Sequence, residues 1–218
     1  MERRARSESS LRRTQGRKKS SPRILIVCEG EKTERNYFNA IRRERRLSGA
    51  RVQILPSDYG TDPLSVVNYA LDKFLAEGRA FDEVYAVFDR DDHHTYNNAL
   101  DRASALNNSY KNEAGVRVPF AAVPSVPNFE LWLLLHFKSV LAPIHRTEVY
   151  AELKKPAFYP TYAKNSATVY DDTKGNIGTA TQRATHLRES FNPADGSDPY
   201  TDIDLVANKL LSIPVPWG

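Results

Sequence analysis

Two hydrophobic patterns alternate along the first two thirds of the chain. Short continuous apolar runs rich in β-branched residues occur at Ile24–Cys28, Val52–Leu55 and Val84–Phe88. Such runs suit strands buried on both faces, as a parallel sheet requires. Between them apolar residues recur at helical spacing. Tyr37, Phe38 and Ile41 mark a helix over Thr33–Arg46, with Arg42, Arg43, Arg45 and Arg46 in its last turns, where the helix dipole favours positive charge. Leu64, Val67, Leu71, Phe74 and Leu75 mark a second helix, opened by Asp62 as N-cap and Pro63 at the first helical position. A third helix is predicted over Tyr96–Lys111. A fourth strand is predicted over Val116–Val123, with Pro119 inside it, and a strongly apolar helix from near Asn128.

The order β-α-β-α-β-α-β-α predicts an α/β fold with a mostly parallel sheet of about four strands, joined by right-handed crossover helices. After His145 the pattern thins to helical patches near Thr147–Lys155, Gly178–Ser190 and Thr201–Leu211. The expected organisation is an arm over residues 1–22, an α/β core over 23–140 and a helical extension over 141–218 packed on that core. No internal repeat is visible.

Charge changes this picture at one place. Residues 1–23 hold nine Lys/Arg and two acids, which leaves 22 bases and 25 acids for the rest of the chain. The net charge of +4 therefore resides in a basic, Ser- and Arg-rich arm, expected to be disordered alone and suited either to phosphate backbones or to a partner protein. No apolar run approaches the ~20 residues of a membrane helix, and no secretory signal is recognisable. Cys28 is the only cysteine, which excludes an internal disulfide and a Cys-rich metal site. These features fit a cytoplasmic protein. No P-loop sequence is present, so the chain is not a P-loop ATPase.

Candidate chemistry lies where strands end. Ligands of open parallel sheets bind outside the carboxyl ends of the strands. Glu29 directly follows the first strand, and Asp89 and Asp91 follow the third. In an extended chain alternate residues point the same way, which would turn Asp89 and Asp91 to one site and Arg90 and Asp92 aside. Clustered carboxylates repel one another and normally persist around a cation. Oxygen-only ligation suits Mg²⁺ or Mn²⁺. Glu130 opens the Leu- and Trp-rich helix, where an acid also favours the helix N-terminus. His93 and His94 follow the DxD run and suit ligation, acid–base work or a plain surface loop. Trp132 and Leu131–Leu135 read as core, and Cys28 as a packed thiol.

An EG pair after a first apolar strand, with DxD after a later one, resembles the Toprim domains of primases, topoisomerases and OLD-type nucleases. The longer strings ILIVCEGEKTERNYF, VYAVFDRDDH and SVPNFELWLLLHF together resemble the RloB-like family of AbiLii-type abortive-infection proteins. The resemblance runs from about Pro22 to Phe137 and more loosely to about Leu187. It implies a divalent-metal-dependent nuclease in anti-phage defence, acting on DNA or RNA and paired with a separate ATPase subunit, in a possible oligomer. The alternative is a non-catalytic interaction or sensing subunit. The resemblance also implies a role for Glu130, through NFE standing where OLD-type enzymes have S-x-E, and for Lys164 against phosphate charge. OLD-type enzymes carry a second Glu four residues after the first. Here that position is Thr33, flanked by Glu31 and Glu34.

Overall fold

A computed structural model describes residues 22–30, 32–196 and 199–215. The basic arm and Glu31 lie outside the described residues. Five strands form one sheet: β1 (Ile24–Cys28), β2 (Val52–Pro56), β3 (Glu83–Asp89), β4 (Phe120–Val126) and β5 (Tyr200–Thr201), in the order β2-β1-β3-β4-β5. The first four run parallel, and β5 pairs antiparallel with β4. The fold is thus the mixed α/β arrangement expected, with a fifth strand added.

The sheet sorts its side chains by alternation. Ile24, Ile26 and Cys28 of β1 join one apolar cluster, and Leu25 and Val27 join the other. That is why all five residues of β1 are buried and why the run is continuously apolar. One face is covered by α2 (Pro63–Ala76) and α3 (Tyr96–Leu106). The other is covered by α1 (Thr33–Glu44), by α4 (Glu130–Leu135) and by the later helices α5 (Arg146–Leu153), α6 (Val169–Thr173), α7 (Ile177–Ser190) and α8 (Ile203–Ser212). Val149, Leu153, Ala180, Leu187, Val206 and Leu210 share a cluster with Tyr37 and Trp132, so the C-terminal helices pack on the sheet.

The direction of the crossovers places a crevice. From β1 the chain moves outward to β2 with α1 on one face. It then returns across β1 to β3, and on to β4, with α2 and α3 on the opposite face. Right-handed crossovers require this change of face when the direction of winding reverses. The reversal leaves an opening between the carboxyl ends of β1 and β3.

Several expected elements moved, each for a local reason. α1 stops at Glu44 rather than Arg46, because Arg46 adopts φ +51 and breaks the helical path. α3 stops at Leu106 rather than Lys111. Asn108 takes φ +58, and Asn107 turns its side-chain oxygen to the N–H of Phe120 at 3.2 Å. The predicted strand at Val116 begins at Phe120 instead. Val116–Val118 instead run back beside Tyr110–Asn112, with an antiparallel bridge between Lys111 and Arg117, after a turn in which Asn112 Oδ1 accepts from the N–H groups of Ala114 and Val116. β4 tolerates a proline after all, at Pro124. The carbonyl of Ser125 faces β3 and accepts from Arg90 N. The missing N–H of Pro124 therefore faces the other side, where β5 supplies only two residues. α6 and β5 were not predicted. Asp62 caps α2 as expected, accepting from Ser65 N at 3.2 Å. Among the described residues no helix is long and apolar enough to cross a membrane.

Candidate functional site

The crevice between β1 and β3 is lined with acids. Glu29 leaves β1 and turns its Oε2 to the backbone N–H of Asp89, accepting at 2.7 Å. This bond joins the ends of the two strands and fixes both carboxylates at the switch point. Asp89 closes β3 in regular register opposite Ser125. Beyond it the extended path ends. Asp91 adopts φ +37, so its direction comes from a turn rather than from strand alternation. Arg90 turns aside as expected, over the ring of Tyr96 at 5.5 Å. Asp92 is likewise turned aside, its side chain 86% exposed and outside the cleft lining, although its Oδ2 lies 3.9 Å from the guanidinium that holds Asp91.

A cleft of about 360 Å³ opens here, lined by Asp89, Asp91, Asn128, Glu130, Arg146 and Lys164, with Thr147 and Tyr150 at its wall. Glu130 stands at the first turn of α4, almost wholly buried, and accepts from the Tyr162 hydroxyl at 2.8 Å. Lys164 shares the cleft and draws the Glu29 pKa down. Glu29, Asp89, Asp91, Glu130 and Lys164 are therefore gathered at one end of the sheet. His93 stands behind Glu29, its Nε2 3.8 Å from Oε1, and His94 is exposed.

Three further residues join the site, and of these Arg146 escaped the sequence reading altogether. Glu34, left open there beside Glu31, is buried at the start of α1, and its carboxylate folds back over Gly30. A Cβ at position 30 would lie 2.1 Å from Glu34 Oε2, so the glycine is what lets that carboxylate reach inward. Arg146, at the start of α5, sets Nη1 3.1 Å from Asp91 Oδ2. Asn128 carries a buried side-chain oxygen that no donor reaches. The glycine after the first glutamate was the one visible hint of Glu34. Contacts across 55 residues, as between Asp91 and Arg146, leave no local signal.

The electrostatics follow from this crowding. Burial pushes Glu29 from 4.5 up to about 8, opposed by the Asp89 N–H and aided by the charges of Glu34 and Asp91. Burial, followed by Glu34, Glu29, Glu130 and Asp91, holds Asp89 well above the usual carboxylate range. Burial and Glu130 also raise Glu34. Burial likewise pushes up the Cys28 thiol, which fits a packed rather than reactive role.

Do these residues fit a divalent cation? Among the described residues no three His, Cys, Asp or Glu side chains are grouped closely enough to enclose one as they stand. The donor chemistry nevertheless fits. Asp91 Oδ1 and Asn128 Oδ1 are buried acceptors without a donor, on the wall of a cleft where burial and neighbouring carboxylates hold Asp89 well above the usual carboxylate range. Buried oxygen acceptors without partners are costly, and a hard cation would satisfy both them and the excess negative charge.

No curated protein and no solved structure matches the chain. A family profile described as RloB-like protein matches residues 24–210, from the first residue of β1 into α8. That span contains every element that builds the cleft, and the chain belongs to the RloB-like family.

Proposed function

We propose that the protein is a divalent-metal-dependent nuclease whose site is of Toprim type, related to that of OLD-type nucleases. The observation that carries this reading is the gathering of Asp89, Asp91 and Glu130 on one cleft with Lys164 and Arg146, beside the hydrogen bond that ties Glu29 to the end of β3. Glu29, Asp89, Asp91 and Glu130 would hold Mg²⁺ or Mn²⁺, which when bound supplies activation of a water and stabilisation of charge on a phosphodiester. The chain's own residues do the rest. Glu29 and Asp89, whose carboxyls are held high by burial and by neighbouring carboxylates, would release their protons to hold the cation. Lys164, which lines the same cleft, offsets phosphate charge. Tyr162 holds the Glu130 carboxylate by donating to it, which fixes one oxygen and leaves the other for the cleft.

A place in anti-phage defence with a separate ATPase subunit as partner is part of the same proposal and rests on the resemblance of ILIVCEGEKTERNYF, VYAVFDRDDH and SVPNFELWLLLHF to abortive-infection proteins. A second reading, a non-catalytic interaction or sensing subunit, is favoured by one observation: Arg146 already neutralises Asp91. Incubation of labelled DNA and RNA in Mn²⁺, with and without the candidate ATPase, separates the two. The nuclease reading expects cleavage by the parent and none by Asp89→Ala. Equal outcomes for parent and variant under every condition favour the second reading.

A further inference from the structure

Arg146 is a cation placed where its own helix gives it no reason to be. It opens α5, at the positive end of the helix dipole, where basic side chains are disfavoured. The helix start is already satisfied without it. His145 Nδ1 accepts from Thr147 N, and the Glu148 carboxylate accepts from His145 N at 3.0 Å. The guanidinium instead reaches back across the cleft to the turn after β3, 3.1 Å from Asp91 Oδ2 and 3.9 Å from Asp92 Oδ2. It engages only one oxygen of Asp91 and leaves Oδ1 buried without a partner. Its side chain is 46% exposed, so it can swing to the cleft mouth without backbone movement. Tyr150 lies four residues on, hence on the same face of α5, and borders the same cleft.

We propose that Arg146 is a substrate-phosphate ligand held in reserve on Asp91, an inference that rests on the metal-site reading above. While the site lacks a divalent cation, the guanidinium neutralises Asp91. When the cation binds, the two positive charges compete for one carboxylate, and the half-exposed one leaves. A guanidinium fits a phosphate with the same planar fork that fits a carboxylate. The arriving phosphodiester therefore replaces the lost anion. Binding is ordered: Arg146 is freed once a cation takes its place on Asp91, and it then holds the nucleic acid together with Lys164 of the same cleft. Metal-dependent affinity for nucleic acid is thus a property of this side chain and not only of the ion.

The test uses the full chain and two binding measurements that need no cleavage. Free Mn²⁺ is followed by its electron paramagnetic resonance signal. A fluorescent single-stranded oligonucleotide is followed by anisotropy with and without Mn²⁺, its integrity checked on a gel. Arg146→Met is expected to bind Mn²⁺ more tightly by about two- to fivefold, the scale of a half-exposed ion pair. It is also expected to lose the gain in oligonucleotide affinity that Mn²⁺ gives the parent. Should Arg146→Met not fold, Arg146→Lys carries the same test, with smaller shifts in the same directions. If the parent binds Mn²⁺ and the variants bind it equally or more weakly, the exchange is overturned and the metal site stands. If the parent and the variants all fail to bind Mn²⁺, the exchange falls together with the metal site. Unchanged oligonucleotide affinity of the variants in Mn²⁺ also overturns it and leaves Arg146 a structural role.

Discussion

Strand β3 is bracketed by two aspartates that live in opposite conditions. Asp82, just before the strand, has both oxygens answered by the protein. Oδ2 accepts from Arg23 N at 2.8 Å and Oδ1 from Asn112 Nδ2 at 2.7 Å, while nearby Arg23 also pairs with Glu113 at 3.2 Å. Asp89, at the far end, meets burial and four other carboxylates, and its proton is held accordingly. An acid at a strand end is therefore not in itself a sign of chemistry. What separates the two ends is whether the protein supplies the donors. At the amino end it does, and the acid holds the fold together. At the carboxyl end Asp91 and Asn128 each keep a buried oxygen without a donor, and like charges gather around Asp89.

This contrast can be broken by mutation. The largest effect is expected from Asp89→Ala and Glu29→Ala, which should lower cleavage in Mn²⁺ by about a hundredfold or more. Without metal the melting temperature of Asp89→Ala should be unchanged or higher, because it removes a buried acid from among four others, whereas Glu29→Ala also loses the bond to Asp89 N. A loss of both activity and stability would place these acids with Asp82.

The next effect concerns pH. Glu29 is raised from 4.5 to about 8 in the folded protein, so between these values the folded state keeps a proton that the unfolded state has released. Stability without metal should therefore fall as pH rises through this window. Saturating Mn²⁺ or Glu29→Gln should flatten the slope, and Asp82→Asn should not. Thermal melts over a pH series read all three.

Asp82→Ala is expected to cost about 1–3 kcal/mol in urea unfolding, because two donors lose their acceptor. Cleavage per folded molecule should stay at the parent level. Glu130→Gln is subtler, because it keeps the shape that accepts from Tyr162 and removes the charge. A role at the helix terminus alone would cost about 0.3–1 kcal/mol with activity preserved, whereas a metal ligand would lose activity out of proportion to stability. The smallest change is expected from deleting residues 1–21: weaker nucleic-acid binding with a flatter salt dependence and unaltered folding. A salt series that superimposes on the parent's would remove the arm from substrate binding.

The parallel sheet was legible because burial on both faces forces runs such as Ile24–Cys28, and because the Asp62–Pro63 start is a local signal. Local signals also misled. Pro119 seemed to sit within a strand, yet the strand begins one residue later and carries Pro124 instead, a choice set by which neighbour each backbone group faces. β5 is two residues long and exists only because β4 is there to pair with it. In the site, the acids that end strands could be named in advance, since topology alone directs them to one crevice. Glu34 and Arg146 could not. The first depends on a carboxylate folding back over Gly30, and the second on a contact between α5 and a turn far away in sequence.

The sheet's two margins bear on how this chain meets others. One margin is β5, too short to template a further strand. The other is β2, only five residues long and ending at Pro56, which has no N–H to donate to a newcomer. Helices cover both faces. Fibril-like stacking through exposed backbone is thereby discouraged, and a subunit joining this one would have to recognise helix side chains rather than continue the hydrogen-bonded ladder.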